Sequence, residues 1–328
     1  MLKLLFIRFS SIGDIVLVSP LLRCIREQKP DTKIHFLVKK KFSPVIQYNP
    51  HIETIHEYDN DFSSTLNELK SEKFDYIIDL QNNLRSFRFK RNLNVKKSFT
   101  VNKINFRKWL YVNLKINILP QKSIVDRYFD TLKYFKIEND NRGLEFFTSP
   151  DSTEILEKIP SEIKNNYLVA VIGAAHFTKQ IPENIYIEIL NKSNIPVILT
   201  GGSTDIEKSK QIAENLTVPY FNATGICTLG ETAEIIKNSK VVITPDTGSM
   251  HIAAAFKKPI VSLWGNTVPQ FGMYPYMPNY ENLYYIAEVK DLRCRPCSKI
   301  GYKKCPKKHF RCMNNQDIDG IVEKIKNF

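Results

Sequence analysis

Residues 240–264, KVVITPDTGSMHIAAAFKKPIVSLW, decide how the chain is read. Val241, Val242 and Ile243 make a short apolar run that stops at Pro245, the pattern of a strand buried in a parallel sheet. Asp246, Thr247, Gly248 and Ser249 then supply turn and helix-start chemistry, and the alanines at 253–255 let the following helix lie close on a sheet. Residues 259–264 give a second apolar strand. Strand, polar turn, small-residue helix and strand form a βαβ unit whose turn lies at the carboxyl end of the strands, where open α/β sheets bind ligands. The chemistry of such a turn is anion binding, because the first amides of the helix have no partner within it and carry the positive end of its dipole. Gly248 lets a phosphate approach the backbone. The plainer alternative is that Asp246 or Thr247 only caps the helix, worth about 1 kcal/mol, and that His251 is a core histidine.

Pro-Asp-Thr-Gly-Ser-Met-His-Ile-Ala-Ala-Ala, residues 245–255, resembles the donor-site signature of glycosyltransferase family 9, the ADP-heptose:lipopolysaccharide heptosyltransferases. The resemblance implies an α/β chain of GT-B architecture, two facing Rossmann-like domains with parallel sheets. It also implies that Asp246, Thr247, Gly248 and His251 hold a nucleotide-sugar donor.

Composition agrees with two globular domains: 328 residues exceed a usual single core, and 43% of them are hydrophobic. No apolar run approaches the ~20 residues of a membrane span. The opening MLKLLFIRF meets Arg8 and a polar turn without a small-residue cleavage site, so it reads as a first strand and not a signal peptide, and a cytoplasmic protein is expected. The net charge of +13 is concentrated. Ten basic residues and no acid lie between Arg85 and Lys115, and nine basic residues with one acid, Asp291, between Lys290 and Arg311. The remainder is net negative. Such stretches attract polyanions: nucleic acid, anionic headgroups or a phosphorylated glycolipid. With no helix-turn-helix or RNP-like sequence, a nucleic-acid partner is not expected.

In the amino-terminal half, residues 2–9 read as a buried strand, residues 10–14 (SSIGD) as a turn, residues 15–25 as a helix kinked at Pro20, and residues 33–38 as the next strand. The turn has one glycine, so the GxGxxG dinucleotide fingerprint is missing and a nicotinamide enzyme is disfavoured. Position alone makes Asp14 a helix cap. Ser-Ser-Ile-Gly-Asp, however, is similar to the family's amino-terminal motif, which implies that Asp14 is the general base and that Ser11 lies beside the acceptor; a carboxylate suits removal of a hydroxyl proton. After the strand FDYIIDL (74–80), the stretch Gln81 to Arg85 is similar to the family's Asp-Leu-(His/Gln)-x-Asn-x-Arg pattern, implying acceptor contacts from Asn83 and Arg85. The aromatic residues set among the cations that follow suit a lipid headgroup and its apolar edge. Asp59-Asn60-Asp61 matches a three-letter metal motif but reads as turn chemistry.

Residues 148–166, polar with two prolines, read as a linker holding one short helix. The second domain then begins with a strand at 167–172, the turn GAAHFTKQ (173–180) and a helix at 182–190. By the resemblance, Lys179 contacts the donor diphosphate as a point charge, and Ala174 and Ala175 line the same loop where better-known members carry hydroxyls. The strand 195–199 ends in Thr-Gly-Gly, where Asp205 and Glu207 are alternative ribose acceptors. Cys227 and Thr228 correspond to the family's adenine-binding region. Cys294, Cys297, Cys305 and Cys312 offer either a tetrahedral structural zinc site or a set of free or disulfide-bonded thiols. Residues 316–328 end the chain as a helix.

The expected organisation is an acceptor-binding domain at 1–155, a donor-binding domain at 156–315, and a helix at 316–328 packing back across the cleft. The resemblance implies an inverting glycosyltransferase that moves a sugar, heptose from ADP-heptose, to an anionic glycolipid acceptor of lipopolysaccharide-core type. No metal or other cofactor is required, apart from the structural zinc alternative, and contact with the inner face of the inner membrane is implied. The alternatives are a nucleotide-sugar epimerase of the same architecture and a non-enzymatic polyanion-binding protein.

Overall fold

The computed structural model describes all 328 residues and divides them into two compact units. The first unit, residues 1–104 and 122–147, carries β1 (Leu2–Ile7), α1 (Ile12–Val16), α2 (Ser19–Gln28), β2 (Thr32–Lys39), β3 (Thr54–Tyr58), α3 (Phe62–Ser71), β4 (Tyr76–Asp79), α4 (Leu84–Asn92) and β5 (Lys97–Thr100). The chain then leaves this unit with α5 (Asn105–Leu114) and returns with α6 (Ile124–Phe129). All strands are parallel in the order β3-β2-β1-β4-β5. The register pairs Ile7 with Asp79, so the turns that follow β1 and β4 stand side by side where the strand order reverses. Leu5, Ile7, Leu37 and Ile77 join Leu66, Leu69 and Phe89 in a dry layer under α3 and α4.

The second unit holds β6 (Leu168–Val171), α7 (Glu183–Ser193), β7 (Val197–Thr200), α8 (Ile206–Ala213), β8 (Tyr220–Asn222), α9 (Leu229–Asn238), β9 (Val241–Pro245), α10 (Gly248–Ala255), β10 (Ile260–Trp264), β11 (Tyr284–Glu288), α11 (Arg311–Asn314) and α12 (Ile318–Asn327). Its sheet is parallel throughout in the order β11-β10-β9-β6-β7-β8, the Rossmann arrangement, with the reversal between β6 and β9. The fully buried strands β6, β7, β9 and β10 explain why these runs are continuous in apolar residues instead of alternating.

Four expectations are corrected. Pro20 does not kink one helix; it sits in the first turn of α2, where its missing N–H costs nothing, and α1 is a separate short helix. Residues 105–121 cluster with the second unit and not with the first. The segment expected to be a linker coils into a 3-10 stretch (Pro150–Lys158) that packs on α9, with Ile155 buried, and belongs to the second unit. Helix α12 lies on α7 and β10 of that same unit, with Ile321 and Ile325 in its core and Lys192 paired with Asp319 at 2.9 Å.

Candidate functional site

In the first unit the turn after β1 places Asp14 on α1. Its Oδ2 accepts hydrogen bonds from the Ser11 hydroxyl at 2.9 Å and the Ser11 N–H at 3.2 Å, and Arg8 reaches the same oxygen at 2.7 Å. Arg8 is 7% exposed, a charge at the end of an apolar strand, and such a charge needs partners. It finds them in Asp14, in the Ser10 carbonyl at 2.8 Å and in the Leu80 carbonyl. Burial pushes the Asp14 carboxyl up, but the Arg8 guanidinium and the Ser11 hydrogen bonds outweigh it and hold the group below the ordinary carboxylate range. Asp14 is thus both a cap for the Ser11 amide and an ionised carboxylate at the strand-order reversal.

The turn after β4 is built on Asp79, which is wholly buried. Its carboxylate accepts the N–H groups of Gln81 and Asn82 at 3.0 and 2.8 Å, the Ser86 hydroxyl at 2.9 Å and the Lys90 ammonium at 2.8 Å. Gln81 then braces the end of β1, its Oε1 accepting from the Phe9 N–H at 2.9 Å. Asn83 caps α4, its Oδ1 accepting the Ser86 N–H at 3.0 Å. The Arg85 guanidinium lies over the rings of Phe9 and Tyr58, 5.5 and 5.4 Å from their centroids. Ser11, Asp14, Asn83 and Arg85 therefore come from two turns that the sheet brings together. Asp61 caps α3 by accepting the Ser64 N–H, which is the turn chemistry expected of it.

In the second unit Lys179 and Asp246 pair across the strand-order reversal at 2.6 Å. Asp246 Oδ2 also accepts the Thr267 hydroxyl at 2.9 Å. Thr247 occupies the N-cap position of α10 without capping it, its hydroxyl meeting that of Thr244 at 3.1 Å. Neither Asp246 nor Thr247 thus spends its side chain on the helix amides, and the simple capping alternative fails. Gly248 opens the helix and His251 is buried in it, 1% exposed. Ala174 and Ala175 lie in the loop between β6 and Lys179, and the Ala174 carbonyl accepts from Gln180 at 3.2 Å. Of the two ribose alternatives, Asp205 turns inward, accepting the Gly202 N–H at 2.9 Å, whereas Glu207 is exposed and meets Gln211. A Cβ on Gly173 would lie 2.1 Å from Asp205 Oδ2, so only glycine there allows that approach. Thr228 caps α9, its hydroxyl accepting the Glu231 N–H at 3.2 Å, while burial drives the Cys227 thiol up to about 11.

The four clustered cysteines do not assemble as metal ligands. All are free thiols, and no three His, Cys, Asp or Glu side chains stand together so as to hold an ion. Cys297 donates to the Cys294 carbonyl at 3.0 Å, and Cys294 Sγ faces His309 Nε2 at 3.8 Å. Sequence reasoning missed Arg8, Asp79 and Thr267. The signal for the first two was a charge at the end of an apolar strand; Thr267 carried none.

The model of glycosyltransferase family 9 (heptosyltransferase) matches residues 63–304. Among curated proteins, the lipopolysaccharide core heptosyltransferase OpsX of Haemophilus influenzae is 24% identical over 80% of this chain and 78% of its own length. The lipopolysaccharide heptosyltransferase 1 of Campylobacter coli is 25% identical over 86% of each chain. Among solved structures, a family 9 glycosyltransferase from Veillonella parvula superposes with a TM-score of 0.77 at 19% identity, covering 99% of this chain and 96% of that one. The E. coli ADP-heptose LPS heptosyltransferase II gives 0.70 at 18% identity, over 98% and 99% of the two chains. The fold is of the GT-B class, and the enzyme reading displaces that of a non-enzymatic polyanion-binding protein. With a family model spanning most of its length and both motif turns at strand-order reversals, the chain belongs to glycosyltransferase family 9 and is a glycosyltransferase.

Proposed function

We propose that this enzyme transfers heptose from ADP-heptose, with inversion at the anomeric carbon, to a hydroxyl of an anionic glycolipid acceptor of lipopolysaccharide-core type. The single observation that carries the reading is the pairing of chemistries at the two strand-order reversals: an ionised carboxylate held by Arg8 in one unit, and Lys179 beside a helix start that its own side chains leave uncapped in the other.

The donor binds the second unit. Its diphosphate accepts the first amides of α10, with Gly248 allowing close approach, and draws Lys179 from Asp246. Asp246, Thr247 and His251 border the diphosphate and sugar, Ala174 and Ala175 face the phosphates through backbone groups, and Asp205 accepts from the ribose. Cys227 and Thr228 border the adenine; with the Thr228 hydroxyl engaged as a cap, recognition there falls to backbone groups. In the first unit, Ser11, Asn83 and Arg85 orient the acceptor. Its hydroxyl oxygen attacks the anomeric carbon as Asp14 takes the proton, the bond from that carbon to the β-phosphate oxygen breaks, and ADP leaves with the electron pair. Lys179 and the helix amides stabilise the charge that gathers on the departing phosphate, so the mechanism asks for no metal.

A glycolipid acceptor is borne on a membrane, which puts the enzyme at the inner face of the inner membrane. No helix is long and apolar enough to cross one. The functional test is a calorimetric titration with ADP, UDP, GDP and their sugar conjugates. ADP and ADP-heptose bind and the others do not; equal affinity for UDP-sugars would overturn the assignment of the donor.

A further inference from the structure

The two basic stretches lie far apart in sequence, yet part of the first is joined to the second within one unit. Lys115, just beyond α5, donates to the carbonyl oxygens of Cys294 at 3.2 Å and Pro296 at 2.7 Å. On α5 itself, Tyr111 meets the ring of Phe271 edge-on at 6.2 Å and Lys108 lies 5.4 Å from that ring's centroid. Lys108, Tyr111 and Lys115 are spaced three and four apart, so they form the row by which the helix is held.

The opposite row is unusual for a helix in water. No residue of α5 is buried. Phe106 and Trp109 stack with ring centroids 6.4 Å apart and stand 69% and 48% exposed. Leu114, Ile116 and Ile118 continue the apolar surface, and Arg107 is exposed among them. A ten-residue helix gains little from its own hydrogen bonds, so such a face calls for a cover. The segment to which Lys115 ties it adds exposed Arg293, Lys299, Lys303, Lys304, Lys307 and Lys308, together with Ile300 and Tyr302. Aromatic and aliphatic side chains interleaved with lysine and arginine match the headgroup region of an anionic bilayer, where the rings enter the acyl boundary and the cations are drawn to the lipid phosphates.

We infer that α5 and the cationic segment 290–311 form a docking surface for an anionic lipid bilayer, so that the donor-binding unit itself sits on the membrane. The inference rests on the proposed membrane-borne acceptor for its purpose, while its chemistry stands on this surface alone. A second copy of the chain would be a poor occupant, since it would set two strongly basic patches against each other.

The test uses the two tryptophans. Trp264 is 1% exposed, so its emission is already that of a buried ring, whereas Trp109 is open to solvent. The intact protein is mixed with vesicles of phosphatidylglycerol and phosphatidylcholine in equal parts, or of phosphatidylcholine alone, and binding is followed by co-sedimentation and tryptophan emission. The expected result is binding to the anionic vesicles alone, with emission moving to shorter wavelength. In Trp264→Phe the shift persists, and in Trp109→Phe it vanishes. Phe106→Ser with Trp109→Ser weakens vesicle binding at least ten-fold while ADP affinity, measured in parallel, is unchanged. Failure to bind anionic vesicles, binding without a Trp109 shift, or a shift that follows protein concentration in the absence of lipid would each overturn the inference. Loss of ADP binding in the parent protein would instead count against the proposed donor.

Discussion

Replacing Arg8 by methionine probes the turn on which the proposed chemistry depends. The guanidinium makes the 2.7 Å ion pair with Asp14 and satisfies the carbonyls of Ser10 and Leu80, all in a site where Arg8 is 7% exposed. Methionine fills similar volume but leaves Asp14 with Ser11 alone and two carbonyls without a donor. Breaking one side of a buried pair costs roughly 3–5 kcal/mol, which for a domain of this size lowers Tm by on the order of 10 °C. The chemical consequence has a definite sign. Burial raises the Asp14 carboxyl and Arg8 is the largest opposing influence, so removing Arg8 moves its pKa upward. The acid limb of kcat/KM, which reports the free enzyme's base, therefore shifts to higher pH, and at neutral pH the rate falls roughly 10–100-fold as the carboxylate loses its fixed orientation. Calorimetric unfolding gives the first number and a pH series of kcat/KM the second. An acid limb unmoved and a rate within two-fold of the parent would refute the claim that Arg8 sets the state of the base.

Lys179→Met removes the cation proposed to meet the diphosphate, and one charge-assisted contact of about 1.5–3 kcal/mol corresponds to a roughly 10–100-fold weaker ADP affinity by calorimetry. In the first unit His35 and His56 are stacked and bonded at 3.0 Å, with burial foremost and His56 next lowering His35 from 6.5 to about 4. The folded state then binds fewer protons than the unfolded chain, so the contribution is complete above pH 6.5 and is lost as pH falls towards about 4. The loss is about 3 kcal/mol across that window, and denaturant titrations of His35→Gln should show a flatter dependence. Thr267→Val leaves Asp246 with Lys179 as its side-chain partner and is expected to cost about 1 kcal/mol, read as a small fall in Tm with ADP affinity changed less than ten-fold.

The sheets were legible because a parallel strand buried on both faces leaves a continuous apolar run, as at 168–171, 197–200 and 241–243. The turns were legible because small and polar residues in short spacings follow the apolar runs, as at Asp14 and Asp246. What stayed hidden depends on contacts between residues distant in sequence. Asp79 looks like the polar end of a strand, and only the fold shows it gathering Gln81, Asn82, Ser86 and Lys90. Helix α5 follows β5 directly, so its neighbours in sequence suggest the first unit; Phe271 and the carbonyls that hold Lys115 are more than 150 residues away. The cysteine spacing permits a tetrahedral site but says nothing of which groups each sulfur meets, here the Cys294 carbonyl for Cys297 and His309 for Cys294.

The central claim is that one carboxylate accepts the acceptor's proton while donor recognition lies in the other unit. The most direct measurement is a transfer assay on Asp14→Ala with donor affinity determined on the same preparation. The account predicts ADP-sugar affinity equal to that of the parent and turnover lower by about 100-fold or more; turnover at the parental rate with intact donor binding would contradict it.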